Sequence, residues 1–354
     1  MGTQVSRLII RKTRFEDMNN KFCRFCSIVL YLLLGAGVCF AKGRGYVVVA
    51  YVTSWTSVMP DPALMTHINY AFGKVNGTFD GVNVDNPARL RRISELKRAN
   101  PKLKVLLSVG GWGAGNFSEM AADEVCRRNF AKDCRRLVEE YGLDGIDIDW
   151  EYPTQKSAGI SCSPDDTENF TLLMRELRKA MGRKRLVTCA TIASGEYVDF
   201  KNCIKYLDFV NVMSYDMASP PKHHSALYPS GISGWMTTAQ AVRSHLEKGV
   251  PADKLVVGMP FYGRGVKPYQ AYVKNPRALP GVTEKWSAES QVPYMEDDGG
   301  NMVLGFENPK SIAAKCHYII ENKLRGGMYW EYADDNEEGG LRSAVAECLM
   351  KKTK

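Results

Sequence analysis

Residues 143–153 read LDGIDIDWEYP, and this stretch decides how the rest of the chain is interpreted. Its short run of isoleucines predicts a β-strand. Side chains alternate between the two faces of a strand, so Asp147, Asp149 and Glu151 share one face, while two isoleucines and a tryptophan share the other. Both faces of a buried parallel strand are normally apolar. Three acids along one face therefore indicate a role in chemistry.

Seven other runs rich in valine, isoleucine and aromatic residues precede or follow this strand, and helical patterns separate them. The clearest helical pattern covers residues 123–141, and another begins at Ser163. Alternating strands and helices predict parallel βα units, and eight such units predict a closed (β/α)8 TIM barrel of the α/β class in a single domain. The eight runs begin at Tyr46, His67, Leu103, Leu143, Leu186, Asp208, Lys254 and Gly326.

The interval between the seventh strand and its helix, residues 263–308, is long for a βα loop. It predicts a small lobe inserted into the barrel. No G-x-G-x-x-G follows any of the predicted strands, so we expect no nucleotide cofactor. The seven cysteines after residue 41 are widely spaced, which predicts that most are core residues and indicates neither a disulfide framework nor a zinc site.

The acids of the fourth predicted strand lie where a TIM barrel places its active site, at the carboxyl end of a strand. Buried like charges cannot all ionise, so at least one acid retains a proton. Glu151, the last of the three, is best placed to give that proton to a leaving group. Two alternatives are a solvated charged face, which the lack of Lys and Arg in residues 144–153 disfavours, and a Mg²⁺ or Ca²⁺ site, which requires ligands from several loops. We expect no metal.

The sequence DGIDIDWEYP resembles the D-x-x-D-x-D-x-E signature of glycoside hydrolase family 18, which contains chitinases and related endo-N-acetylglucosaminidases. The ends of other predicted strands are similar to the same family. They read SVGGW at residues 108–112, MSYD at 213–216, PFYGR at 260–264 and MYWEY around Trp330. The motifs occur in the family's order from about residue 45 to residue 335. Chance agreement is negligible.

The resemblance implies a retaining mechanism in which the 2-acetamido group of the substrate is the nucleophile. Glu151 would protonate the glycosidic oxygen and then act as a base toward water. Asp149 would bind the acetamido N–H, and Asp147 would share a proton with Asp149. Tyr215 would donate its hydroxyl to the attacking carbonyl oxygen.

The same resemblance suggests the residues that bind substrate. Trp330 would form a floor beneath the distorted sugar, because an aromatic ring offers a large rigid apolar face. Ser108 would orient Asp147, and Gly111 would let the backbone approach closely. For any single aromatic residue, core packing is the competing explanation. The other candidates are Trp112, Tyr51, Tyr262, Tyr152, Asp216, Met213 and Arg264.

The leading functional prediction is a chitinase that cuts internal β-1,4 bonds between N-acetylglucosamine units of chitin or its oligosaccharides. The segment after Arg264 is short, which favours an open cleft and low processivity. An endo-β-N-acetylglucosaminidase acting on the chitobiose core of N-glycans is the second prediction. From another functional class, a chitin-binding lectin would retain the barrel but lose the acid at residue 151.

The composition excludes some partners. The chain has 354 residues, is 45% hydrophobic and carries a net charge of +8. Residues 1–41 hold six basic and two acidic side chains, so a net of only +4 belongs to the remainder. That charge is too small to indicate nucleic-acid binding. We expect a monomer with no obligatory membrane partner.

Residues 1–41 have the features of a secretory signal peptide. Basic residues precede the apolar run SIVLYLLLGAGVCFA at residues 27–41, which ends in small side chains and is shorter than the roughly 20 residues that span a bilayer. Met18 is a plausible alternative start. Residues 42–354 would then form the catalytic barrel, in a secreted, periplasmic or cell-surface protein. Lipidation at Cys39 is an alternative, which the bulk of Val38 disfavours.

Overall fold

The computed structural model describes residues 45–266 and 279–351, so the predicted signal peptide lies outside the described residues. Eight parallel strands close into a barrel, because the first strand pairs with both the second and the last. The (β/α)8 prediction is confirmed. A short antiparallel strand, β3, extends the second barrel strand. The strands of this sheet are β1 (Val47–Thr53), β2 (His67–Val75), β3 (Val82–Val84), β4 (Lys104–Gly110), β5 (Gly145–Asp149), β6 (Leu186–Ile192), β7 (Phe209–Met213), β8 (Leu255–Pro260) and β13 (Gly326–Trp330).

Helices follow every barrel strand except the first, which differs from the predicted eight helical crossovers. Residues 54–66, all of which the structure describes, connect β1 to β2 through turns without a helix. Pro60 and Pro62 lie in this segment and disfavour one. The helices are α1 (Pro87–Glu95), α2 (Phe117–Ala122), α3 (Glu124–Glu140), α4 (Asp166–Met181), α5 (Phe200–Cys203), α6 (Thr238–Glu247), α7 (Pro309–Glu321) and α8 (Gly340–Leu349).

The two helices predicted in detail are present. α3 matches the predicted residues 123–141, and the Asp123 side chain caps it by accepting a hydrogen bond from the Cys126 backbone N–H at 2.8 Å. α4 begins at Asp166, three residues later than predicted from Ser163. The Asp166 carboxylate accepts hydrogen bonds from the Ser163 and Thr154 backbone N–H groups, so the preceding segment forms a turn.

A small antiparallel sheet lies between β8 and α7, within the predicted lobe of residues 263–308. Its strands occur in the order β10, β11, β12, β9. A minor core that includes Leu279, Leu304 and Phe306 lies beneath it. Residues 267–278 of the predicted lobe are outside the described residues. The strands are β9 (Arg264–Gly265), β10 (Val282–Ser287), β11 (Val292–Asp297) and β12 (Met302–Gly305).

The two faces of β5 and its continuation are used as the alternation predicts. Ile146, Ile148 and Trp150 belong to the core between the barrel and its helices, where the Trp150 ring stacks on Phe117 with centroids 5.3 Å apart. The opposite face carries Asp147, which is completely buried. This arrangement directs the acids into the barrel. In the described ranges no helix has the length and apolar character needed to cross a bilayer.

Candidate active site

Asp147 lies inside the barrel and accepts four hydrogen bonds. Tyr51 Oη and Ser108 Oγ donate to Oδ2 at 2.7 and 2.8 Å, and Thr188 Oγ1 and Asn211 Nδ2 donate to Oδ1 at 2.6 and 3.2 Å. Burial raises the pKa of Asp147, while these four donors oppose the rise because they stabilise the carboxylate. With two donors at each oxygen, Asp147 is held as a hydrogen-bond acceptor in one orientation.

Asp149 has a very different environment. Its side chain is 4% exposed, and Oδ1 is buried without a hydrogen-bond partner in the part of the chain that the structure describes. Burial, together with the nearby charges of Glu151 and Asp147, raises the pKa of Asp149 well above its usual range. Asp149 therefore ionises less readily than an exposed aspartate.

The expected sharing of a proton between Asp147 and Asp149 stays a prediction. Among the hydrogen bonds of the described residues, those to Asp147 come from two hydroxyls of neighbouring strands, one tyrosine and one amide. These donors reach both carboxylate oxygens of Asp147. Sequence reasoning missed Thr188 and Asn211. Their signal was a polar side chain in the middle of an otherwise apolar barrel strand.

Glu151 follows β5 at the mouth of the barrel. Burial raises the pKa of Glu151 to about 7, a hydrogen bond with Tyr152 opposes the rise, and the negative charge of Asp216 adds to it. A carboxyl group with this pKa is protonated in part of the population at neutral pH and can act as an acid and then as a base. This property depends on the barrel, since an exposed glutamate ionises near pH 4.3.

Tyr215 and Asp216 follow β7 and lie opposite the acids. Asp216 has φ 57°, in the left-handed region that Asp tolerates better than most residues. Tyr262 Oη and Arg264 Nε donate to its Oδ1 at 2.6 and 2.7 Å, and a second guanidinium nitrogen lies 2.5 Å from Oδ2. Although partial burial opposes the effect, the His224 ring at 3.7 Å and the hydrogen bonds from Arg264 and Tyr262 hold the pKa of Asp216 well below its usual range. Asp216 therefore remains charged.

Two glycines bring the end of β4 against Asp149. Gly110 has φ 129°, and a Cβ at this position would lie 2.0 Å from the Asp149 carbonyl oxygen. Gly111 has φ 93°, and its Cβ would lie 2.7 Å from the Phe72 ring. The Gly111 N–H donates to the Asp149 carbonyl oxygen at 2.8 Å. Only glycine combines these φ values with so close an approach.

Trp330 lies at the end of β13 within a group of aromatic rings. Its ring stacks against Phe72 with centroids 5.6 Å apart and an interplanar angle of 20°, and Tyr51 and Trp55 lie at 5.6 and 6.3 Å. Tyr51 is only 2% exposed and binds Asp147 through its hydroxyl. The geometry thus gives Tyr51 a second task beside the expected contact with substrate, which is to orient the buried acid.

A cleft of about 820 Å³ opens above these residues. Most predicted site residues line it, whereas Asp147 and Ser108 lie beneath. Trp55 and Trp235, which sequence reasoning missed, also line it and are 63% and 58% exposed. Trp55 stands two residues beyond β1, a position that could have identified it. The predicted residues along the cleft are Tyr51, Gly111, Trp112, Asp149, Glu151, Tyr152, Met213, Tyr215, Asp216, Tyr262, Arg264 and Trp330.

The chain matches the model of one known protein family. The family model for glycosyl hydrolases family 18 matches residues 47–335. The chain belongs to glycoside hydrolase family 18. The resemblance inferred from the motifs is confirmed, and the protein is a glycoside hydrolase.

Relatives in family 18 include both long and short proteins. Chitotriosidase-1 of Mus musculus is 32% identical over 357 residues, which cover 84% of this chain and 75% of that protein. Chitinase A1 of Niallia circulans is 28% identical over 403 residues, which cover 83% of this chain and 57% of that protein. The chain thus spans little more than half the length of the second relative.

Solved structures show the same family 18 barrel. A family 18 N-acetylglucosaminidase from Paenibacillus barengoltzii superposes with a TM-score of 0.78 at 35% identity, covering 86% of this chain and 100% of that chain. In residues 45–266 and 279–351, no cluster of three or more His, Cys, Asp or Glu side chains is arranged to hold a metal ion.

Proposed function

We propose that this family 18 hydrolase is a chitinase that cleaves β-1,4 bonds between N-acetylglucosamine units with retention of configuration. The observation that carries the proposal is the pairing of two differently prepared acids at the mouth of the barrel. Asp149 is buried with an unpartnered oxygen, and Glu151 has a pKa of about 7. An acetamido group can supply the donor that Asp149 lacks.

The first step breaks the glycosidic bond. Glu151 gives its proton to the glycosidic oxygen while the substrate's acetamido oxygen attacks the anomeric carbon, which forms an oxazolinium ion and releases the leaving sugar. Asp149 accepts a hydrogen bond from the acetamido N–H, and its carboxylate offsets the positive charge that develops. Tyr215, which lines the cleft beside the acids, donates its hydroxyl to the acetamido oxygen.

The second step restores the enzyme. Glu151, now ionised, takes a proton from a water molecule as the water oxygen attacks the anomeric carbon and opens the oxazolinium ring. Two inversions at the same carbon give net retention. Proton NMR of the first products tests this step, since retention requires the β-anomer to appear before mutarotation. Initial release of the α-anomer would overturn the mechanism.

The aromatic side chains around the acids support a polymer of N-acetylglucosamine as substrate. Trp330 lines the cleft, and Trp55, Trp112 and Trp235 are each more than half exposed along it. Exposed apolar side chains grouped along one cleft are typical of a ligand-binding groove, whereas singly scattered ones are not. Sugar rings present apolar C–H faces that stack on such rings.

Chain cleavage within the polymer is the favoured mode of action, because the exposed tryptophans lie along an open cleft. A second candidate is an N-acetylglucosaminidase, which the solved relative of 35% identity and 100% coverage favours. Hydrolysis of the N-acetylglucosamine hexamer separates the two. A chitinase of the proposed type yields dimer, trimer and tetramer at the earliest time points, whereas the second candidate yields only monomer.

Action on N-glycans remains a proposal of its own. An N-glycosylated protein and chitin oligosaccharides, supplied to the same enzyme preparation, distinguish the two substrates when the products are identified by mass. Turnover of the glycoprotein alone would overturn the chitinase proposal. Binding of chitin without any turnover would indicate the lectin. Secretion is likewise proposed, and an amino terminus near residue 42 in protein recovered from the medium would support it.

A further inference from the structure

Arg89 is a buried cation that binds the loop after β1. It lies on α1, and its side chain together with its backbone is 5% exposed. Arg89 Nε donates to the Thr53 carbonyl oxygen at 2.9 Å. One terminal nitrogen donates to the Val58 carbonyl oxygen at 2.7 Å and to Thr56 Oγ1 at 3.2 Å. A single guanidinium thus joins three positions within residues 53–58.

This loop has no helix to give it a shape. It belongs to residues 54–66, which connect β1 to β2 through turns, so its backbone groups require partners from elsewhere. Besides Arg89, the Ser54 N–H donates to the Ala71 carbonyl oxygen at 2.7 Å, and Asn86 Nδ2 donates to the Ser54 carbonyl oxygen at 3.1 Å. Residues 86–89 at the start of α1 therefore act as a template for the loop.

The loop carries Trp55 to the edge of the cleft. The Trp55 side chain is 63% exposed, and its ring centroid lies 6.3 Å from both Trp330 and Phe72. Packing contributes little to the position of so exposed a ring. The backbone of residues 53–58 consequently decides where the indole stands, and Arg89 is the side chain that binds this backbone at two carbonyl groups.

We propose that Arg89 is a positioning residue that orients Trp55 for sugar units bound beyond the one on Trp330. The inference deepens the proposed function and rests on it. Arg89 makes no contact with the cleft itself, since the residues that line the cleft do not include it. Its effect on hydrolysis is therefore confined to substrates long enough to reach Trp55.

Substrate length provides the test. Arg89→Ala should raise KM for the longest soluble N-acetylglucosamine oligomers about three- to tenfold, the range of a lost aromatic contact. It should leave kcat unchanged, and it should not affect the shortest oligomer that is cleaved. Trp55→Ala should give the same pattern. The double variant should be no worse than Trp55→Ala, because residues that act through one another are not additive.

Matched controls keep the test decisive. Arg91→Ala removes an arginine from the same helix that is exposed and paired with Glu140 at 2.9 Å, and it should leave KM unchanged for every length. If Arg89→Ala does not fold, Arg89→Lys serves instead, because one ammonium cannot bind both carbonyl groups in the geometry of the guanidinium fork. Either loss of kcat at all lengths or additive effects with Trp55→Ala would overturn the proposal. A wild-type protein that cleaves no oligomer would instead refute the proposed function.

Discussion

The acids at the two ends of β5 have opposite electrostatic environments. At the amino end, the Asp144 carboxylate lies 3.0 Å from Lys97 Nζ and 3.2 Å from Lys104 Nζ, and it accepts a hydrogen bond from the Val105 N–H at 3.0 Å. At the carboxyl end, the negative charge of Glu151 is the main electrostatic neighbour of Asp149, and that of Asp216 is the main electrostatic neighbour of Glu151.

The pKa values follow these partners. Burial tends to raise the pKa of Asp144, but the Val105 N–H and the two lysines outweigh it, so the pKa lies below its usual value. Burial and neighbouring negative charges raise the pKa of Asp149 and Glu151. One end of the strand is therefore prepared for stability and the other for proton transfer. The partners supplied by neighbouring strands therefore decide the role of each acid.

The largest effect is expected at the carboxyl end. Glu151→Gln should lower kcat on chitin oligosaccharides by about 10² to 10⁴, the usual contribution of general acid–base catalysis, with KM little changed. Asp144→Asn is the matched control on the same strand and should retain kcat within about twofold. Steady-state kinetics of both variants measure this difference. Full turnover by Glu151→Gln would contradict the role of Glu151 as the acid.

Asp149→Asn should lower kcat by about 10² to 10³, because a neutral amide cannot offset the charge of the oxazolinium ion. The stability of Asp149→Asn, in contrast, should increase relative to wild type as the pH rises. The folded state raises the pKa of Asp149, so wild-type stability decreases as the pH rises above the unfolded value of about 3.9. Between pH 4 and pH 7, the melting temperature of the variant should rise relative to that of wild type. A variant that loses stability on this path would contradict the account of its burial.

The pH dependence of activity tests the pKa of Glu151. Because Glu151 has a pKa of about 7, kcat/KM should fall as the pH rises above about 7. The negative charge of Asp216 contributes to that pKa, so Asp216→Asn should move the alkaline limb to lower pH, whatever its effect on KM. A pH profile normalised to its maximum measures the shift. Movement to higher pH would show that the sign of this electrostatic contact is wrong.

The smallest effect is expected at the amino end. Asp144→Asn should reduce the free energy of unfolding by about 1 to 2 kcal/mol at pH 7, because the side chain is 14% exposed and its lysine partners are partly solvated. The lowered pKa means that this stability is present above pH 4 and is lost as the pH falls below it. Denaturant unfolding at pH 7 and pH 3 should therefore show the difference shrinking. A difference that stays constant would remove the ion pairs as its cause.

Much of the site was predictable because its signals are local. The alternation of β5 identified the face of the acids, and the motifs after β4, β7, β8 and β13 identified residues that line the cleft, such as Trp112, Tyr262 and Trp330. The prediction of a helix after β1 was wrong. The other βα units suggested it, but two prolines in residues 54–66 disfavour a helix there. The exposed Trp55, two residues beyond β1, was also missed, and its orientation depends on Arg89, which is 34 residues later in the chain.

The sequence by itself determined the barrel and the row of acids, because a two-residue period and a repeated strand–helix order are properties of short segments. Only the tertiary structure decided which acid is charged. The four donors to Asp147 come from residues 39 to 96 positions away, and no local pattern specifies which side chains meet across a closed barrel. Burial and the nearby charges of Glu151 and Asp147 arise when the strands close around Asp149, and these features set its pKa.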